Sequence, residues 1–353
     1  MTHPAILSGR ALRRMAVVLS MWASALVLAA APALAHPAPA KVIHVPGDYP
    51  TIQAALDASK IGGTVLVDPG TYKENLDFHG KDIRLESTGG AAVTTLDVPG
   101  GTGVTIGPYG VFEGFTVTGA VGDFGGGMAV SGYGTLITQN VFEADTAEVG
   151  GYGAAIGGNN ASPTIDRNFF RDNVCDDQYL SGVISFVNES SPNITNNVFK
   201  KNPCRAITMI LPSGAAPKVE NNTIVGNPVG IDISAIDITV MLFENNVIVR
   251  NGVGLTGDFG GPKTSPIWNH NLVWGNGQNY QYIADQTGRV GNISVSPRFV
   301  GGRFHLRSDS PAIDAGRNIK GLRFDYDGNP RKVDGNGDGI ATMDMGAFEF
   351  QLP

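Results

Sequence analysis

The chain has 353 residues, with 25 basic against 32 acidic side chains and a net charge of −7. An acidic balance excludes recognition of nucleic acid by bulk charge, and an anionic polymer would need a local basic patch or bridging metal ions. The 48 glycines announce many turns.

From the N-terminus, Arg10, Arg13 and Arg14 precede an uncharged apolar run from Met15 to Ala30, and Ala33-Leu34-Ala35 places small residues where a signal peptide is cut. Residues 1–35 are therefore expected to be a leader and His36 the first residue of the mature chain. A membrane anchor is the competing reading, but the run contains Ser and Trp and breaks at Pro32. No later stretch is long and apolar enough to span a bilayer. Cleavage removes three of the 25 basic residues and no acidic one, which deepens the net charge to −10. The expected location is secreted, periplasmic or cell-surface.

Residues 36–44 read as a linker and the start of a cap. Pro50-Thr51 then leads into Ile52-Gln53-Ala54-Ala55-Leu56-Asp57-Ala58, which predicts a short amphipathic helix with Thr51 as its N-cap. Its apolar face would close the end of a core, and the first strand would follow at Thr64-Val65-Leu66-Val67.

Further along, six segments share one pattern. An inward apolar column runs Ile137, Ile165, Ile194, Val219, Phe243, Trp268, and a polar column three residues later runs Asn140, Asn168, Asn197, Asn222, Asn246, Asn271. The latter are 28, 29, 25, 24 and 25 residues apart. Two residues on lies Phe142, Phe170, Phe199, Ile224, Ile248, Val273, and three beyond that a second polar column, Asp145, Asn173, Asn202, Asn227, Asn251, Asn276. Such a repeat cannot bury its apolar face alone, so coils stack about 4.8 Å apart with parallel strands. Asn suits the bends because it tolerates left-handed backbone and its amide can bond the Asn one coil away. The fold class is all-β, a right-handed parallel β-helix over 45–300 with a short N-terminal capping helix and a coil-closing segment over 301–353. Horseshoe repeats lack support, because the coils have neither Leu-rich consensus nor helical stretches.

The stretch Val45-Pro46-Gly47-Asp48-Tyr49-Pro50-Thr51-Ile52-Gln53, continuing through Val67-Asp68-Pro69-Gly70-Thr71-Tyr72, resembles the opening of pectin-lyase-like β-helices. The coils around Gly125-Gly126-Gly127-Met128, Gly153-Ala154-Ala155-Ile156, Phe170-Arg171-Asp172-Asn173 and Phe199-Lys200-Lys201-Asn202 are similar to repeats of polymorphic outer-membrane and sugar-processing β-helix proteins. The resemblance implies a carbohydrate partner, a polysaccharide or a cell-surface glycan. The chain departs from that family in lacking the Asn-Thr-Asp, Gly-His-Gly and Arg-Ile-Lys signatures of polygalacturonases and the signatures of pectinesterases and mannuronan epimerases. Fold alone does not assign the reaction.

The register stacks outward residues as well. Three after the first Asn stand Glu143, Arg171, Lys200, Val225, Val249 and Trp274: three charged groups, then an apolar surface on which a sugar ring could lie. A cation there could abstract the proton beside a uronate carboxylate while another neutralises it, as a lyase or epimerase requires. The alternative is a solvated ion-pair ladder. Loops on three neighbouring coils carry Asp123, Glu148, Asp176 and Asp177 with Tyr152 and Tyr179, which reads as Ca²⁺ binding, an acid and base pair, or only acidic surface. Cys175 and Cys204 each follow the second polar column by two residues, so stacked backbones bring them within disulfide reach.

At the C-terminus Asp334, Asn336 and Asp338 alternate before Gly339 like half of a calcium loop, with Asp325 and Asp327 as further ligands; position twelve is Met345 instead of Glu. Calcium is thus the one expected cofactor. The scattered histidines carry no zinc or copper spacing. Two functions stay open: carbohydrate processing by a lyase, epimerase or glycosidase, and a non-catalytic adhesin. The chain is expected to be a monomer.

Overall fold

The computed structural model describes residues 41–175, 181–211, 216–235, 241–259 and 266–352. The expected leader and Asp176, Asp177 and Tyr179 lie outside these residues. Among the described residues no helix is long and apolar enough to cross a membrane.

Among the described residues the coils are built mostly of short strands that pair in parallel with their counterparts one coil away. The middle strands form a nine-stranded sheet from Gly70–Tyr72 to Leu272–Trp274. The strands on either side of it are joined into a 17-stranded sheet by Met128–Thr138 and Ile156–Asp166, which run through two faces without a break. We call the face preceding the first Asn column the leading face and the nine-stranded one the middle face.

The register read from the sequence holds at every step. Ile137 pairs with Ile165, Ile165 with Ile194, Ile194 with Val219, Val219 with Phe243, and Phe243 with Trp268. On the middle face Phe142, Phe170, Phe199, Ile224, Ile248 and Val273 align in the same way. Alternation puts one residue in two inside, so these columns are buried. Phe142, Phe170 and Phe199 stack with ring centroids 5.3 and 4.6 Å apart.

Both Asn columns form hydrogen-bonded ladders. The Asn168 Oδ1 accepts from the Asn140 backbone N–H at 3.0 Å and from its Nδ2 at 3.1 Å, while the Asn168 Nδ2 donates to the Ile137 carbonyl at 2.9 Å. The unit repeats to Asn271 and ends on Asn292, a rung the spacing did not reveal. Each buried amide is thereby satisfied.

The reason for Asn differs from the expectation. The left-handed residue is the one before each ladder position: Gln139, Arg167, Asn196, Asn221, Asn245 and His270 before the first column, with φ between 50° and 57°. The ladder asparagines are retained for the amide, which needs both a donor and an acceptor pointing along the stack.

The helix Ile52–Ala58 forms as expected, with the Thr51 Oγ1 accepting from the Ala54 N–H at 3.2 Å and Ile52, Ala55 and Leu56 buried. The solenoid begins earlier than read, because Val42–Val45, placed mostly in the linker, pairs with Gly63–Val67. Cys175 and Cys204 form a disulfide with Cα atoms 5.7 Å apart.

The C-terminal segment does not simply close the last coil. It returns along the outside of the middle face, where Leu306, Ala312, Ile313 and Met345 pack on Val225, Val247, Val249 and Leu272, and Ala347 and Phe348 on Val198. Apolar residues at outward positions must be covered, and this strap covers them.

Candidate functional site

Between the leading face and the strap lies a cleft of about 470 Å³, lined on one side by Asp166, Arg167, Thr195, Lys218 and Glu220 and on the other by residues 319–324. Parallel pairing supplies the first side. Asp166, Thr195 and Glu220 follow the inward Ile165, Ile194 and Val219, so they face outward on three successive coils. Arg167 belongs to the left-handed bend that ends the leading face. On the strap, Lys320 and Arg323 are exposed, as is Lys218 opposite them. Four cations, Arg167, Lys218, Lys320 and Arg323, thus share one cleft with two carboxyl groups. Arg167 is already paired with Asp166, so the cleft's exposed positive charge comes from Lys218, Lys320 and Arg323.

The two carboxyl groups live in different surroundings. Asp166 accepts from the Thr195 hydroxyl at 2.8 Å, the Asn196 Nδ2 at 2.8 Å and the Arg167 Nε at 2.9 Å. Glu220 is 5 % exposed. Burial pushes its carboxyl above the ordinary glutamate range; Lys218 and Arg317 pull it down, and Glu244 on the next coil adds to the rise.

Behind Asp166 stands a buried ionic knot. Arg331 and Glu349, both side chains 0 % exposed, pair at 3.1 Å. The Arg331 Nη2 donates to the Asn196 Oδ1 at 2.6 Å, and the Asn196 Nδ2 is the group that bonds Asp166. Asn196, Asn221 and Asn245 share the first bend, and each stitches the strap down: Asn196 donates to the Phe324 carbonyl, Asn221 to those of Asp344 and Gly346, Asn245 to that of Arg317. Burial and the neighbouring Glu349 push Asp344 up to about 8.

Around the bend a second groove of about 520 Å³ contains Glu143, Arg171, Arg167 and Tyr326. The expected charged column is therefore real but divided. Glu143 and Arg171 form an ion pair, with Nε donating at 2.6 Å, while Lys200 lies over the Phe304 ring of the strap at 5.9 Å. The expected apolar platform is not open: Val225 and Val249 are buried, and Trp274 packs half-buried in the cluster under the strap. A sugar ring cannot lie where the chain's own C-terminus already lies.

Tyr152 packs on Phe124 at 5.8 Å, in the pair of strands Val121–Phe124 and Thr146–Tyr152 that follows the second bend, on the other flank of these coils. Asp123 raises Glu148 through a shared hydrogen bond and like charge.

The five expected calcium ligands all accept hydrogen bonds or pair within the chain. Asp325 is buried and accepts from the Asn329 and Glu349 N–H groups at 2.7 and 3.0 Å, and Asp327 pairs with His305 at 2.6 Å. Asp334 accepts from the N–H groups of Gly337, Asp338 and Gly339, Asn336 from Asp338, and Asp338 from Ile340. Among the described residues no three His, Cys, Asp or Glu side chains are grouped to hold a metal.

Asp166, Thr195, Glu220, Lys218 and Arg323 went unread in the sequence. For Asp166, Thr195 and Glu220 the signal was present, since the residue two before each first-column Asn runs Thr138, Asp166, Thr195, Glu220, Glu244, Asn269, an outward column on the same ruler in which three of six are acidic. Arg323 had no such signal, because nothing periodic ties the strap to the coils.

Residues 83–238 match the family model described as a right handed beta helix region. Among curated protein sequences none matches the chain. Of solved structures, pectate lyase Pel9A aligns over 88 % of this chain and 97 % of its own, at 13 % identity and a TM-score of 0.45. The A-module of mannuronan C-5 epimerase AlgE4 from Azotobacter vinelandii aligns over 64 % of this chain and 82 % of its own, at 17 % identity and a TM-score of 0.29. A PL6 family alginate lyase aligns over 72 % of this chain and 49 % of its own, at 12 % identity and a TM-score of 0.27. None of these likenesses bears on the reaction.

Proposed function

We propose that the chain, a right-handed parallel β-helix, is an exported carbohydrate-processing protein that takes an extended, acidic polysaccharide into the cleft beside the leading face. The observation that carries the proposal is the concentration of Lys218, Lys320 and Arg323 around one open cleft of a chain whose net charge is −7. A run of uronate carboxylates placed along these cations would gain charge-assisted hydrogen bonds, and a neutral polymer would not. Stacked coils suit such a ligand because they repeat the same outward positions along one axis. Export rests on the leader pattern of residues 1–35.

Affinity electrophoresis against uronate and neutral polysaccharides tests the reading. The protein is expected to be retarded by the uronate polymer in a salt-dependent way, and the Lys218→Glu, Arg323→Glu double variant to run unretarded. Equal retardation of the two proteins overturns the assignment of the cleft. Calcium enters only as an ion for the turn 334–339, and a melting temperature unmoved by chelator removes it. Binding without any new product would favour the adhesin.

A further inference from the structure

We infer that the protein carries a second anion site, separate from the cleft, in which Arg250, Arg298, Arg303 and Arg307 hold a doubly charged phosphate group such as that of a phosphate monoester.

The four side chains are brought together by the ladder and the strap. Arg250 occupies the left-handed bend before Asn251, with φ 58°, a position filled by Gly226 and Gly275 on the neighbouring coils. Those glycines put no side chain on either flank of Arg250 in its column. Val249, one residue earlier, is buried with Leu306 of the strap, and Phe299 and Phe304 pack on the same cluster. The strap therefore reaches Arg250 with its apolar side inward. It folds back on itself there: the Arg307 N–H donates to the Arg298 carbonyl at 3.1 Å, the Val300 N–H to the His305 carbonyl at 2.9 Å, and Phe299 bridges Leu306 in an antiparallel pair. The alternation that turns Phe299, Phe304 and Leu306 inward leaves Arg298, Arg303 and Arg307 exposed. All four arginines line one pocket of about 340 Å³, and no acidic side chain lines it with them.

The charge of this pocket is one-sided. Asp309, beside it, engages two of the four: its Oδ1 lies 3.2 Å from the Arg307 Nε, and the Arg298 Nη1 donates to its carbonyl at 2.8 Å and to its Oδ2 at 3.3 Å. The side chains of Arg250 and Arg303 have no ion-pair partner among the described residues. Four guanidinium groups against one carboxylate leave 4 − 1 = +3, and a guanidinium does not relieve repulsion by giving up its proton. A counter-ion of high charge does. A carboxylate brings one charge and two oxygens, whereas a phosphate monoester brings a charge of about −1.5 to −2 and three acceptor oxygens, which guanidinium forks share through bidentate, charge-assisted hydrogen bonds. A lipid surface fits less well, because Val300 is the single exposed large apolar residue of segment 298–307, and one valine buries too little to hold a membrane.

This pocket stands at the second bend and the cleft before the first, with the middle face between them. The two sites are therefore tested independently.

Isothermal titration calorimetry of the mature protein with inorganic phosphate and with glucose 6-phosphate, at about pH 8 where the ester is doubly charged, is the experiment. Both are expected to bind more tightly than acetate and to lose affinity as salt rises. The Arg250→Gln, Arg303→Gln double variant, changed at two exposed positions, should bind both about tenfold more weakly or worse with an unmoved thermal melt. The Lys218→Glu, Arg323→Glu variant should bind them as wild type does, whatever becomes of its retardation by a uronate polymer. Phosphate bound no better than acetate overturns the proposal, as does undiminished binding by the double Gln variant or binding lost only in the cleft variant. Vesicles of phosphatidylcholine with phosphatidic acid form the last arm. Capture of wild type but not of the double Gln variant on these vesicles, without binding of glucose 6-phosphate, overturns the soluble ester in favour of a lipid headgroup.

Discussion

The outer side of the middle face is open on one stretch of coils and hidden on the next, although the backbone and the inward columns hardly change between them. Glu143 and Arg171 line a groove, whereas Val198, Val225, Val249 and Leu272, at the outward positions of later coils, lie under the C-terminal strap. The bend residue changes in step. It is Gln139 and Arg167 on the open coils and Asn196, Asn221 and Asn245 on the covered ones, where the second Asn of each pair serves the ladder and the first binds the strap. The cleft with Asp166 and Glu220 runs along the strap's edge, with residues 319–324 as its second wall.

The largest way to break the contrast is to remove the knot that pins the strap. Arg331→Met leaves Glu349 buried without its partner, and breaking one side of a buried pair costs about 3–5 kcal/mol. Denaturant unfolding should show that loss, and hydrogen exchange should place the new opening in residues 344–350. A loss confined below about 1 kcal/mol would mean that the pair contributes no more than one on the surface.

A paired substitution sharpens the contrast directly. Leu272→Ala, outward but buried under the strap, should cost about 2–5 kcal/mol. Arg171→Ala, outward on the open groove, should cost at most about 1 kcal/mol, because its ion pair is half exposed. Similar losses at the two positions would show that the strap is not docked in solution.

The smallest expected effect lies at the head of the second ladder. Asp145 is buried, its Oδ1 accepts from the Ala120 N–H at 3.1 Å, and its Oδ2 has no partner. An Asn there would donate along the stack, as Asn173 does to the Phe142 carbonyl and the Asn202 Oδ1. Burial pushes the Asp145 carboxyl well above the ordinary range, and nearby Glu143 adds to the rise. With the folded value raised, the stabilising protonated form is complete below the unfolded value and is lost as pH rises through the folded one. Asp145→Asn should therefore stabilise by about 1 kcal/mol per hydrogen bond gained. The gap in melting temperature to wild type should widen toward alkaline pH and narrow as pH falls. A wild-type protein more stable than the variant at every pH would refute this account of the ladder.

What could be read from the residues was whatever repeats. The inward columns, both ladders and the Cys175–Cys204 bridge all follow from one spacing, because stacking forces each coil to present equivalent positions to its neighbour. The same ruler would have found Asp166, Thr195 and Glu220 had it been set two residues earlier. Trp274 was misplaced for the opposite reason: its column was read correctly, but what covers the column comes from elsewhere in the chain.

The sequence by itself determined the parallel β-helix, the register of its six repeated coils and the direction in which each repeated side chain points, since these depend on contacts between equivalent residues 24 to 29 positions apart. Only the tertiary structure decided which outward surface lies open and which is interior. That choice is made by the strap, whose hydrogen bonds to Asn196 and Asn221 join residues 123 to 135 positions apart and follow no period. It places Lys320 and Arg323 opposite Lys218, turning one side of a repeat into one wall of a cleft.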